Sequence, residues 1–172
     1  MRYVLNVVDV SMYLHAGTKS AKGKRSRYYG LPMGGIDKLM REITLFGFDK
    51  EEVCLVFDSP SKRKNLLEEY KKNRVLDMDV VYQNEKMFSM LSRAGYWVVR
   101  EIGYEADDLI AKVVKDNYNK FKIIRVWTAD RDMAWLVDDK VSLKSPITTA
   151  TDIDIYNYSW VVGGGVRVEY NS

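Results

Sequence analysis

Seven carboxylate side chains stand where apolar segments of this sequence end or where a helical segment begins. They are Asp9, Asp58, Glu105, Asp107, Asp108, Asp130 and Asp132. Two unit charges ~4 Å apart repel by roughly 4 kcal/mol at an effective dielectric near 20, whereas a helix N-terminus offsets only about 0.3–1 kcal/mol per acid. If the acids converge, a cation must hold them, and ligands that are all oxygen suit Mg²⁺ or Mn²⁺.

The elements that would position these acids are short apolar strands that alternate with helical segments. The strands are expected at residues 2–9, 52–57, 96–100, 122–128 and 141–143. This alternation predicts an α/β fold with a central, mostly parallel sheet and helices on both faces. Ligands of such sheets bind outside the carboxyl ends of the strands. The acids that follow the strands should therefore meet at one edge.

Apolar periodicity predicts the helices, and the rest of the chain is expected to be loop. Four helices are expected, at residues 30–47, 80–91, 105–117 and 132–137, and Pro32 lies near the first turn of the first of them. An exposed, polar helix is expected at 62–74. Residues 10–29 read as a loop that becomes basic, and Val166–Tyr170 fits no clear element. The chain reads as a single domain, residues 1–172, with an exposed arch at about 60–80 and an atypical segment at 146–172.

Each acid taken alone has a simpler explanation. Asp is common at the N-cap of a helix, and Asp9, Asp58 and Asp130 could each serve only as a cap or turn residue. The cluster around Asp107 is harder to explain in this way, because three acids within one helical turn exceed what capping requires. Together the seven acids favour a shared metal site.

Composition limits the function classes. The chain has 172 residues, 47% of them hydrophobic and 30% charged, which is typical of a soluble globular protein. The sequence has no apolar window long enough to span a membrane, and its first residues predict a strand rather than a signal peptide. Cys54 is the only cysteine, so no internal disulfide is possible, and the sequence predicts a cytosolic protein with this thiol buried.

Positive charge is concentrated in two runs although the net charge is only +3. The first run lies within residues 19–27 and includes Lys24, Arg25 and Arg27, and the second spans residues 62–74. Basic runs beside an acidic edge are typical of a surface that binds nucleic-acid phosphates and hydrolyses one of them. The alternative is that each run is an ordinary solvated surface.

An acidic edge of this kind supports phosphodiester hydrolysis by two metal ions. Other chemistries lack their residues. The lone His15 has no evident partner for a catalytic triad, the sequence has no nucleophile elbow, and the glycine-rich turn at 30–35 lacks the Lys-Ser/Thr ending of a P-loop.

Several motifs in this order resemble the 5′ nuclease superfamily of flap endonucleases and 5′-3′ exonucleases, whose catalytic core is related to PIN domains. The similarity covers roughly residues 2–145. It comprises Asp9, Gly30-x-Pro32, Val56-Phe57-Asp58, Tyr70-Lys71-Lys72-Asn73-Arg74, Gly103-Tyr104-Glu105-Ala106-Asp107-Asp108 and Thr128-Ala129-Asp130-Arg131-Asp132.

This resemblance implies a role for each matched residue. Asp9, Asp58 and Glu105 would hold a first metal ion, while Asp107, Asp130 and Asp132 would lean towards a second, with Asp108 beside them. Lys71 and Arg74 would lie on a helical arch and steer the scissile phosphate. Tyr70 would stack near the terminal nucleotides, or would only anchor the base of the arch.

One feature of the family has no counterpart in these residues. The family carries a helix–hairpin–helix region after the core that grips duplex DNA and supplies further acids. We therefore expect a weakly held second ion and more activity with Mn²⁺ than with Mg²⁺. We also expect flaps to be cleaved poorly relative to free 5′ ends. A separate chain is one possible source of the region that grips the duplex. The alternatives are a PIN-type ribonuclease, a Toprim domain suggested by the Asp130-x-Asp132 spacing, and a module that binds branched DNA without cutting it.

Overall fold

A five-stranded, all-parallel sheet forms the centre of the molecule. The computed structural model describes residues 2–20, 30–45, 49–59, 78–144, 158–162 and 166–170. The sheet strands are β1 (Arg2–Asp9), β2 (Val53–Val56), β3 (Trp97–Val99), β4 (Phe121–Trp127) and β5 (Val141–Lys144). They lie in the order β3-β2-β1-β4-β5. The helices are α1 (Val10–Ser20), α2 (Gly34–Leu45), α3 (Met78–Arg93), α4 (Ala106–Asn117) and a 3₁₀ helix, Arg131–Leu136.

Helices cover both faces of the sheet, as the sequence predicted. Successive residues of a strand point to opposite faces, and β2 shows this clearly. Cys54 and Val56 join the core cluster built with α4 and the 3₁₀ helix, whereas Val53 and Leu55 join the cluster built with α1, α2 and α3. All four residues of β2 are buried, which is typical of a parallel strand covered on both sides. The predicted α/β fold class is confirmed.

The expected loop at residues 10–29 is wrong for its first half, because residues 10–20 form α1. Val10, Tyr13 and Leu14 of this helix are buried at helical spacing. The lysines of the basic run obscured this short apolar stripe in the sequence. Residues 21–29, with most of the first basic run, lie outside the described residues.

The helices α1 and α2 pack with their backbones in close contact at two glycines. A Cβ added to Gly17 would lie 2.5 Å from the carbonyl oxygen of Gly34, and one added to Gly35 would lie 2.8 Å from the backbone of Leu14. Only glycine therefore fits at these two positions. The predicted helix at this place begins at Gly34, two residues after Pro32.

Val166–Tyr170, expected to fit no element, forms a strand. This strand, β7 (Val166–Tyr170), pairs antiparallel with β6 (Tyr158–Val162), and Tyr158 lies opposite Tyr170. Apolar and polar residues alternate from Val166 to Glu169, a signal of strand structure that sequence reading overlooked.

The arch expected at about 60–80 lies almost entirely outside the described residues, which resume at Met78. Of the helices that the structure describes, none combines the length and the apolar character needed to cross a membrane.

Candidate active site

Three neighbouring strands deliver acids to the carboxyl edge of the sheet. Asp9 is the last residue of β1, Asp58 follows β2, and Asp130 follows β4. Because β2, β1 and β4 are adjacent and parallel strands lie ~4.8 Å apart, these acids emerge side by side. The start of α4 contributes Glu105 and Asp107 to the same edge.

Asp9 is buried and close to other acids. Its side chain is only 6% exposed, and it accepts a hydrogen bond of 3.0 Å from the Thr128 hydroxyl and a long one of 3.5 Å from the Met12 backbone N–H. Burial, and after it the nearby charges of Asp58 and Asp107, raise the pKa of Asp9 to about 7 against the opposing effect of the two hydrogen bonds. The carboxyl group is thus held where an unbalanced negative charge is costly.

Asp58 connects three helices to the end of β2. Its Oδ1 accepts a 2.8 Å hydrogen bond from the backbone N–H of Ala106, the first residue of α4. Its Oδ2 accepts a hydrogen bond from the hydroxyl of Ser11 on α1, and its backbone carbonyl accepts one of 3.3 Å from Asn84 on α3. The N-cap residue Glu105 makes no side-chain capping bond. Asp58, which follows β2, caps α4 in its place.

Asp107 and Asp130 form the other half of the site. Burial raises the pKa of Asp107 to about 6, and the next causes are a side-chain hydrogen bond with Asp130 and the charges of Asp130, Asp58 and Glu105. A hydrogen bond between two carboxyl groups requires that one of them hold a proton. Asp130 also accepts a 2.9 Å bond from the backbone N–H of Asp132 and so caps the 3₁₀ helix.

Thr128 links the two halves. Its hydroxyl donates to Asp9 and accepts a 3.1 Å hydrogen bond from the backbone N–H of Asp130. The side chain is 3% exposed. A single buried hydroxyl therefore sets the position of one acid relative to the other.

Five of the seven predicted acids come together in this way. They are Asp9, Asp58, Glu105, Asp107 and Asp130. Asp108 and Asp132 are exposed at the margin of the site. In the described part of the chain, no three acid, histidine or cysteine side chains are grouped as a ready-made metal-ion cage, and several of these carboxylates bond to protein donors instead. The capping role predicted for Asp130 is confirmed. Asp9 accepts a long bond from a backbone N–H in the first turn of α1, and Asp58 accepts one from the first residue of the distant helix α4.

Cationic side chains lie on the two outer strands of the same edge. Arg100 follows β3, where its guanidinium forms a 2.7 Å ion pair with Glu85 and stacks 3.8 Å from the ring centre of Phe88. Lys144 ends β5, and burial together with the charge of Arg125 lowers its pKa. The acids thus occupy the middle of the edge and the cations its ends.

The remaining predicted site residues cannot be placed. Tyr70, Lys71 and Arg74, together with the basic group Lys24, Arg25 and Arg27, lie outside the described residues.

Sequence reasoning missed three polar side chains that hold the acids: Ser11, Asn84 and Thr128. Ser11 was hidden because α1 itself was missed, although the Asp9-x-Ser11 spacing is what the first turn of a helix after a strand would show. Thr128 belongs to the expected strand at 122–128 and to a motif shared with the family, but the sequence assigns no role to its hydroxyl. Nothing in the sequence connects Asn84 to a residue 26 positions earlier.

The fold and this edge define an open parallel α/β protein whose ligand-binding edge is acidic. The family model for the 5′-3′ exonuclease N-terminal resolvase-like domain matches residues 5–163. The chain therefore belongs to this family, as the resemblance implied, and is not a Toprim domain.

Individual relatives agree with this membership. A 5′-3′ exonuclease of Buchnera aphidicola (subsp. Schizaphis graminum) is 27% identical over 80% of this chain and 50% of its own length. One from Aquifex aeolicus is 30% identical over 69% of this chain and 43% of its own length. The chain spans about half the length of the curated relatives it matches.

A solved structure shows the same fold. The T5 5′-exonuclease with bound divalent metal ions (zinc) is 20% identical, has a TM-score of 0.58, and aligns with 82% of this chain and 54% of its own chain.

Proposed function

We propose that this chain is the catalytic core of a divalent-metal-dependent 5′ nuclease that hydrolyses DNA phosphodiesters, as a 5′-3′ exonuclease or flap endonuclease. The observation that carries the proposal is the convergence of Asp9, Asp58, Asp107 and Asp130 from four separate chain segments at the ligand edge of the sheet. Family membership supports the reaction class. Such a nuclease would work in the cytoplasm of a bacterium or of a phage-infected cell.

The acids at this edge suit divalent metal ions. All of the donors are carboxylate oxygens, which Mg²⁺ and Mn²⁺ prefer, and the pKa of Asp9 is raised to about 7 by burial among other acids. We assign Asp9, Asp58 and Glu105 to a first ion and Asp107, Asp130 and Asp132 to a second, with Asp108 beside it. Bound ions would activate a water molecule and stabilise the leaving oxygen of the phosphodiester.

The polar side chains around the acids have a positioning role in this proposal. Ser11 and the N–H of Ala106 fix both oxygens of Asp58, and Thr128 fixes Asp9. Acids that are held before the substrate arrives need no reorganisation during the reaction.

The substrate strand would lie along the carboxyl edge. Cations at the two ends of the edge, Arg100 and Lys144, suit the phosphates that flank the scissile one. Lys71 and Arg74 would steer the scissile phosphate, and Tyr70 would stack on a terminal base. The first basic run, with Lys24, Arg25 and Arg27, would contact the DNA backbone.

A cleavage assay tests the proposal. The purified chain is incubated with 5′-flap DNA, with single-stranded DNA that has a free 5′ end, and with RNA, each with Mg²⁺, Mn²⁺ or EDTA. We expect cleavage of DNA that requires the metal ion, with Mn²⁺ supporting more activity than Mg²⁺. Cleavage of RNA alone would favour a PIN-type ribonuclease, and metal-independent binding without cleavage would favour a DNA-binding module.

Matched variants on one helix separate a site role from a general charge effect. Asp107→Asn removes an acid at the start of α4, and Asp116→Asn removes an exposed acid ~13 Å further along the same helix at 1.5 Å per residue. We expect the first variant to lose cleavage and the second to retain it. Equal activity of the two variants would refute the site assignment at Asp107.

A further inference from the structure

The 3₁₀ helix that follows the active-site acids carries an exposed tryptophan. Trp135 is 62% exposed, although Met133 and Ala134 beside it are buried in the core. The buried pair fixes the orientation of the helix, so Trp135 is held on its outer face. Large aromatic side chains usually bury most of their surface. The exposed ring of Trp135 is therefore a candidate contact for a ligand or a partner.

Helix geometry places Trp135 beside the candidate site. In a 3₁₀ helix, side chains three residues apart eclipse one another, and each residue rises ~2.0 Å. Trp135 therefore stands on the same face as Asp132 and ~6 Å further along the axis. The N-cap of this helix is Asp130, whose side chain bonds to Asp107 of the site.

The charged residues that flank Trp135 on the chain favour a nucleobase over a protein partner. Among the described residues next to Trp135 on the chain, Arg131, Asp132, Asp138 and Asp139 are exposed and charged. A stable protein interface needs about 800 Å² from each partner, with an apolar centre. A single flat ring among charged residues suits one stacked base of an unpaired strand.

We infer that Trp135 is a base-stacking residue that positions an unpaired nucleotide of the DNA strand next to the scissile phosphate. This inference rests on the proposed function, because the acids beside Trp135 must bind that phosphate. It adds a substrate contact on the side of the site formed by the 3₁₀ helix.

The test measures the binding of a short single-stranded DNA with a free 5′ end by fluorescence anisotropy. The full chain carries Asp107→Asn throughout, so that the DNA stays intact. We expect Trp135→Ala to weaken binding roughly tenfold, the change that corresponds to about 1.4 kcal/mol and lies within the range for stacking on one base. Trp135→Phe should lose less, because a smaller aromatic face remains.

Tyr3→Ala is the matched control. Tyr3 is 63% exposed and lies near the start of β1, at the opposite edge of the sheet from the acids. This variant should bind DNA as tightly as the chain with both aromatic residues. An equal loss for Tyr3→Ala and Trp135→Ala would overturn the inference.

Abasic DNA identifies the occupant. Each nucleotide in turn is replaced by an abasic one, and binding is compared with and without Trp135. With Trp135 present, we expect one position where loss of the base weakens binding roughly tenfold. In Trp135→Ala, loss of the same base should have no further effect, because the two changes remove the same contact. The absence of such a position would overturn the inference. Self-association of the chain that disappears in Trp135→Ala would also overturn it.

The binding and cleavage results distinguish the two proposals. If the chain cleaves DNA but Trp135→Ala binds it normally, the stacking inference alone is wrong. If the chain neither binds nor cleaves DNA under any metal condition, the proposed function fails and the stacking inference fails with it.

Discussion

Replacing Asp9 by Asn should stabilise the metal-free protein at neutral pH. The substitution removes a charge from a carboxyl group that is 6% exposed and flanked by Asp58 and Asp107. Asn has almost the same shape as Asp. Its oxygen can still accept from the Met12 N–H, and its amide can donate to the Thr128 hydroxyl, which has two acceptor lone pairs.

The expected magnitude follows from the pKa of Asp9. The pKa is about 7 in the folded protein and 3.8 for the unperturbed group, and each unit corresponds to about 1.4 kcal/mol. The folded state therefore keeps a proton that the unfolded chain releases. The stability gained in this way is complete below pH ~4, falls as the pH rises towards ~7, and is absent above that. The total loss over this window is at most about 4 kcal/mol.

The assay is urea denaturation in EDTA at a series of pH values between ~4 and ~8, the window that the two pKa values define. We expect the free energy of unfolding of the wild-type chain to fall with pH across this window, and that of Asp9→Asn to fall less. Asp116→Asn, at the far end of α4, should follow the wild-type curve.

Added Mg²⁺ or Mn²⁺ supplies a second readout. A metal ion that binds the folded state raises the melting temperature. We expect it to do so for the wild-type chain and much less for Asp9→Asn. Parallel pH curves for the wild type and Asp9→Asn in EDTA would refute the reasoning, because they would show that Asp9 carries no strained charge.

Substitutions at five other residues give further expected outcomes. Asp107→Asn should raise the melting temperature in EDTA at neutral pH, and a destabilised Asp107→Asn would contradict this. Asp130→Ala should lower the free energy of unfolding by about 1 kcal/mol, because it removes the cap of the 3₁₀ helix. Gln83→Leu should cost about 2–4 kcal/mol in urea denaturation, since its buried amide accepts from two backbone N–H groups of α2 at 2.7 and 3.0 Å, and a normal midpoint would show that the contacts are weak. Lys71→Ala and Arg74→Ala should each reduce the salt dependence of DNA binding by about one unit of log–log slope, and an unchanged slope would exclude phosphate contacts there.

The sequence predicted the sheet and its acidic edge because both depend on local patterns. An apolar run that ends in an acid marks the carboxyl end of a strand, and parallel strands bring those ends to one edge. The helix α1 was missed because its apolar stripe is short and leads into lysines. The strand β7 was missed because three glycines obscured its alternation.

The bonds that hold the acids could not be predicted in the same way. Asp58 caps α4 through Ala106, which is 48 residues later, and Thr128 bonds to Asp9 across 119 residues. These contacts depend on which strands are neighbours and on how each helix returns to the sheet. The raised pKa of Asp9 has the same origin, because it reflects burial and charges from distant segments.

The sequence left open whether each of these acids caps a helix or belongs to the site. In the structure these two roles do not exclude each other. Asp58 and Asp130 each hold a helix N-terminus through a backbone N–H. The negative charge of each also raises the pKa of Asp107. Capping uses the lone pairs on one or two oxygens, whereas metal binding uses the negative charge and the lone pairs that remain. A carboxylate has about four such acceptor positions, so one side chain can do both. Caps anchored to helices of the core are therefore a means of holding mutually repelling acids at fixed places before any cation binds.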